Sequence, residues 1–115
     1  MTALAGLSEE ELLARILPLM RSSYDESVEL GPGDDAAVVR AGDGRVVATT
    51  DAMVRGVDWR DDWSSGADVG RKAVAQNLAD VAAMGARGIG LLATLLADPA
   101  TPVAWVEDFA RGFGS

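Results

Sequence analysis

The chain has 115 residues, 49% of them hydrophobic, with 18 acidic against 10 basic side chains and a net charge of −8. That length suits one domain with one modest core, and the acidic balance argues against general binding to nucleic acid or anionic membrane, both polyanions. Cys and His are both absent, which excludes disulfides, thiolate nucleophiles, Cys-based zinc sites and His-dependent triads. The metal ligands that remain are mainly hard oxygens, suited to Mg2+, Mn2+ or Ca2+. A nucleotide is still allowed, because bound Mg2+ offsets its charge. The longest apolar run, GIGLLATLLA (Gly88–Ala97), is too short for a helical membrane span. The opening MTALAGL lacks the basic and long apolar regions of a signal peptide, so a cytoplasmic location is the default expectation.

In chain order, Ser8 to Met20 reads as a first helix. Ser8 followed by Glu11 fits a capping box, Leu12, Leu13, Ile16, Leu17 and Met20 form one apolar face, and Pro18 kinks or ends the helix. A short strand is expected at Val28–Leu30. After the glycine turn of GPGDDAAV, Ala36–Arg40 reads as a strand, AGDGR as a hairpin turn and Arg45–Val54 as the second strand of that hairpin. The polar stretch VDWRDDWSSGA, from Val57 to Ala67, reads as a mobile or lid-like loop. The strongest helix is Asp68 to Met84, with Asp68 as N-cap, Gly85 as its stop and an Ala-rich, largely buried body. Gly88–Ala97 reads as a buried central strand. Thr101 then caps a last helix with Pro102 at its first position and Val103, Val106, Phe109, Ala110 and Phe113 on one face. The order of elements gives an α+β or α/β domain without internal repeats.

Three acidic points stand out. Asp34 and Asp35 enter a strand, Asp51 follows Thr49 and Thr50, and Asp80 shares one side of the long helix with Ala73, Asn77 and Met84. A carboxylate on a buried helix face is costly unless paired or metal-bound. Packing of the hairpin on this helix would bring the acids together as Mg2+ ligands. Each piece also has a plainer reading. GDD is an ordinary turn, TTD an ordinary strand end, and Asp80 fits a hydrogen-bonded residue at the helix rim. Trp59 and Trp63 fit loop packing better than a base-stacking platform. No Walker pattern is present, and GARGIG precedes a strand rather than opening a helix.

In combination, GPGDDAAV, TTDAMVRGVDW and DVGRKAVAQNLADVAAMGA resemble the N-terminal part of the thiamine-monophosphate kinase family, which groups with aminoimidazole ribonucleotide synthetase and selenophosphate synthetase. The resemblance runs from about Glu10 onward. It implies the α+β fold of the aminoimidazole ribonucleotide synthetase N-terminal domain, a mixed sheet with helices on one face. It also implies ATP- and Mg2+-dependent phosphorylation of thiamine monophosphate to thiamine diphosphate. Carried over by motif, Asp35, Thr49, Thr50, Asp51 and Asp80 are expected metal ligands, with Asp34 as a further candidate. A homodimer formed through the sheets is also implied.

Two departures accompany the resemblance. The family's GxHF is here GVDW, so Asp58 takes the His position near the thiamine phosphate and Trp59 that of Phe, which makes Asp58 a substrate-side candidate. A carboxylate facing a phosphate repels it unless a metal intervenes. NLSD is here NLAD, which removes a hydroxyl at Ala79 and keeps the acid. The family also continues into further nucleotide contacts and a second domain. Residues 1–115 are therefore expected to be the N-terminal ATP- and Mg2+-binding domain of a longer kinase, with half of a metal-nucleotide site and little activity alone. The rival expectations are a non-catalytic, dimerising Mg2+-nucleotide module and a related ATP-using synthetase.

Overall fold

The structure, a computed structural model, describes residues 2–23, 28–30, 38–42, 44–88 and 90–115. Helix α1 (Glu9–Ile16) opens with the expected reciprocal cap. Glu11 N–H donates to Ser8 Oγ at 3.1 Å, and Ser8 N–H donates to Glu11 Oε1 at 3.3 Å. Pro18 has no N–H to continue the α ladder, and the chain tightens into a 3-10 segment over Leu17–Ser23. Strands β1 (Val28–Leu30) and β2 (Val38–Val39) pair antiparallel with an irregular register. Strands β3 (Ala52–Val54) and β4 (Thr94–Leu96) pair parallel, Ala52 opposite Thr94, Met53 opposite Leu95 and Val54 opposite Leu96. Helix α2 (Gly66–Ala83) makes the crossover between them, and α3 (Val103–Gly114) closes the order of elements. Among the described residues no helix is long and apolar enough to cross a membrane.

The core lies where α2 and α3 meet. Met53 of β3, Trp59, Val69 and Ala73 of α2, and Phe109 and Phe113 of α3 form one buried cluster. The helices approach so closely that a Cβ on Gly70 would sit 2.2 Å from the Phe109 carbonyl oxygen. One on Gly112 would sit 2.0 Å from that of Ala67. Glycine is required there because the contact is backbone against backbone, with no flexible side chain able to yield. Trp59, Trp105, Phe109 and Phe113 stack in series, with centroid separations of 5.2, 6.1 and 6.2 Å. Such offset ring contacts add to the area buried.

The α+β class, α1 with its cap, the strand at Val28–Leu30 and the buried face of α3 agree with the sequence reading. Several finer expectations do not. Instead of one mixed sheet, the described residues form two separate two-stranded sheets. β2 pairs with β1 rather than with the residues after AGDGR. The long strand Arg45–Val54 shrinks to β3, whose partner lies beyond α2. Among the described residues the segment Gly88–Ala97 forms a strand at Thr94–Leu96, β4 has a single neighbour, and Leu92 and Leu96 are exposed.

Helix α2 starts earlier than expected, capped by Ser65. Asp68 is the reciprocal partner within the helix, its N–H donating to Ser65 Oγ at 3.2 Å and its Oδ2 accepting from Ser65 N–H at 3.0 Å. Gly85 stops the helix as expected, in the left-handed region at φ 73°. The α2 body is buried only as far as Asn77. Thr101 does not cap α3. Pro102 holds the cap position, the Val103 N–H is met by the Thr2 carbonyl at 2.9 Å, and the Thr101 hydroxyl is buried without a partner among the described residues. The stretch Val57–Ala67 is not a lid, since Trp59 is only 7% exposed and belongs to the core, while Trp63 lies outside under the Arg60 guanidinium, 4.0 Å from its ring centre.

Candidate metal centre

Asp51 immediately precedes β3, and Asp80 lies in the last turn of α2. Because β3 packs beneath α2, these two carboxylates meet. Hydrogen bonding to Asp80 raises the Asp51 carboxyl above its ordinary 3.8, and the Asp80 charge, partial desolvation and the Asp58 charge push in the same direction. An open cavity of about 380 Å³ lies here, lined by Asp51, Ala52, Asp58, Gln76, Ala79 and Asp80. The arrangement is acidic and poorly compensated. Arg55 pairs with Asp61 at 3.0 Å, Arg60 with Asp62 at 2.7 Å and Arg71 with Asp68 at 2.7 Å, while Lys72 Nζ donates to the Asp58 carbonyl. No basic residue occupies the last turn of α2, where the helix dipole already disfavours the Asp80 charge.

The expected ligands fare differently. Asp51 and Asp80 are brought together. Asp80 is exposed rather than buried, because α3 covers only the first half of α2. Thr50 Oγ1 lies 3.2 Å from Thr94 Oγ1 and 3.5 Å from the Leu92 carbonyl, which turns it toward β4. Thr49 is half-buried beside it. Asp34 and Asp35 lie outside the described residues. Asp58 lines the cavity, but its Oδ2 accepts the Val54 N–H at 2.7 Å. Among the described residues no group of three His, Cys, Asp or Glu side chains could hold a metal ion. What the described residues provide is a pair of carboxylates. A pair fits Mg2+, which takes one or two carboxylates and completes its shell with water and phosphate oxygens.

Sequence reasoning did not single out Gln76 for the cavity wall. Its place one helical turn before Asp80 is the signal that would have found it. Asn77 was placed on the right face but given no role. It is buried, its Nδ2 donates to the Ala73 carbonyl at 2.8 Å and to that of Leu92 at 3.5 Å, and its Oδ1 has no partner among the described residues. Thr50 and Asn77 thus reach one carbonyl on the approach to β4 from the two segments that carry Asp51 and Asp80.

A helical pair packed on a small parallel sheet, with Asp51 and Asp80 brought together beside it, defines an α+β domain. Comparison with known proteins gives the family: residues 33–115 match the AIR synthase related protein, N-terminal domain, and the chain belongs to that family. It is similar to the thiamine-monophosphate kinase of Mycobacterium tuberculosis, 55% identical over 86 residues that cover 75% of this chain and 26% of that protein. Similarity extends to the thiamine-monophosphate kinases of Corynebacterium glutamicum, 46% identical over 82 residues (70% and 25% of the two chains), and Escherichia coli, 40% identical over 103 residues (89% and 31%). The chain thus spans between a quarter and a third of the length of these curated relatives. No solved structure matches it significantly.

Proposed function

We propose that these residues form the metal- and nucleotide-holding part of a thiamine-monophosphate kinase, which transfers a phosphoryl group from ATP to thiamine monophosphate with Mg2+. The observation that carries this reading is the meeting of Asp51 and Asp80 in an acidic cavity that Asp58 also lines. The names of the relatives supply the reaction. Asp51 and Asp80 would hold Mg2+, which when bound would screen the negative charge of the phosphoryl oxygens. Both carboxylates are acceptor-only when ionised. A divalent cation between them would replace repulsion by attraction. Asp34, Asp35, Thr49 and Thr50 belong to the same proposal as further oxygen donors.

The proposal extends to the longer protein. The isolated 115 residues are expected to turn over little thiamine monophosphate, and steady conversion by them alone would refute that part. Pairing of two copies through the sheet also belongs to the reading, supported by the exposed apolar side chains Val46, Val47, Leu92 and Leu96. So does a cytoplasmic location.

The test is calorimetric titration of the chain with a non-hydrolysable ATP analogue, with and without Mg2+. Binding that requires Mg2+ and disappears in a folded Asp80→Asn variant is the expected result. Mg2+-dependent binding that persists in Asp80→Asn would overturn the assignment of the site.

A further inference from the structure

The turn after β3 carries more hydrogen bonds than a loop of its length needs. The Asp58 N–H donates to the Val54 carbonyl at 2.8 Å, that of Val57 to the same carbonyl at 3.2 Å, and the Gly56 N–H to the Trp59 carbonyl at 2.9 Å. Gly56 makes this possible by taking φ 82°. The Asp58 carboxylate folds back and accepts the Val54 N–H at 2.7 Å, a short charge-assisted bond at the end of β3. From the other side, Lys72 of α2 donates to the Asp58 carbonyl. Trp59, the next residue, is buried and stacked on Trp105. Asp58 therefore ties together the end of β3 and α2, the helix that carries Asp80 two turns beyond Lys72.

We propose that Asp58 is a positioning residue: its carboxylate locks the turn after β3 through the Val54 N–H, and this brace fixes β3, with Asp51 at its start, against α2 and Asp80. The side chain at this position then acts on the backbone of its own chain rather than on a substrate phosphate. This removes the conflict of a carboxylate set to face a phosphate. The effect on cation binding rests on the metal reading above, whereas the effect on the turn does not.

Two substitutions separate the roles. Asp58→Asn keeps an acceptor for the Val54 N–H and removes the charge, and Asp58→Ala removes both. Amide hydrogen exchange at Val54 is measured in each, together with Mn2+ titration as a probe of the acidic pair. In Asp58→Ala, Val54 exchange is expected to accelerate about tenfold or more, and Mn2+ affinity to fall about tenfold, the usual size for loss of an outer-shell support. In Asp58→Asn both are expected to stay within about threefold of the parent, because the backbone bond survives. Unchanged Val54 protection in Asp58→Ala would overturn the proposal. So would a Mn2+ affinity in Asp58→Asn as low as in Asp58→Ala, which would mean that the charge itself contacts the ion. If the parent chain fails to bind Mn2+, the metal reading fails by itself, and exchange at Val54 alone decides the role of Asp58.

Discussion

The two halves of α2 use similar residues to opposite ends. In the first half, Gly66, Val69, Gly70 and Ala73 are buried, and the backbone of α3 lies against them. In the second half Ala79, Ala82 and Ala83 are exposed, and the polar side chains Gln76 and Asp80 line the cavity. Small residues alone do not decide whether a helix face is buried; the presence of a partner does. Asp68 and Asp51 state the contrast electrostatically. The Ser65 N–H, an Arg71 hydrogen bond and the Ser65 hydroxyl hold the Asp68 carboxyl below 3.8, whereas Asp80 holds that of Asp51 above it.

The comparison can be broken most severely from the packed side. Phe109→Ala is expected to cost about 4 kcal/mol by removing a ring from the centre of the stack. Truncating Leu78, which lies exposed in the second half of α2, should cost under about 1 kcal/mol. Urea unfolding of both variants measures the difference. Gly112→Ala comes next, at about 3 kcal/mol, because the added methyl meets backbone. Gly42→Ala, whose methyl would meet nothing within 4 Å, should stay within about 0.5 kcal/mol. Ser65→Ala removes the cap at the start of α2 and is expected to cost about 1 kcal/mol, read from the same unfolding curves.

The smallest effect sharpens the electrostatic contrast. Asp51 keeps its proton in the folded chain at pH values where the unfolded chain has lost it. Its contribution to stability is therefore fully present below 3.8 and lost as pH rises through the raised folded value. Asp68 has the opposite sign, giving stability that is present above 3.8 and lost as pH falls through its lowered folded value. Asp80→Asn is expected to bring Asp51 back toward 3.8 and flatten the first dependence while leaving the second in place. Carboxyl titration by NMR reads both groups in one experiment. An Asp51 titration unchanged in Asp80→Asn would mean the two acids do not interact.

What could be read in the sequence was local. Ser8 and Glu11 announce their cap in four residues, and the apolar spacing from Val103 to Phe113 specifies a buried face without knowledge of its partner. The start of α2 was equally legible, since Ser65 and Asp68 have the same spacing, but Asp68 drew attention as a cap itself. The failures were non-local. Nothing near Ala52–Val54 says that its partner is Thr94–Leu96, and a turn following a short strand favoured the hairpin that does not form. Apolar character over Gly88–Ala97 suggested a central strand, although burial there depends on how many neighbours the fold provides. For the candidate site, Asp51 and Asp80 were found by residue type and family resemblance, while their contact needed the packing of β3 beneath α2. The hydrogen bond of the Asp58 carboxylate to the Val54 N–H is invisible in side-chain patterns, even though Asp is a residue expected to bond to nearby backbone in turns.

The parallel pairing of β3 with β4 bears on the order in which the molecule can assemble. The strands are roughly 40 residues apart with a helix between them, so their ladder closes only after the intervening chain has lost most of its freedom. Capped helices such as α1 and α2 can form early and repeatedly, whereas the alignment of Asp51 with Asp80 waits for that closure. The repulsion between the two acids is therefore absent while the early helices form and is met only when the strands come into register. If the proposed site holds a divalent cation, that ion would offset this repulsion in the folded product.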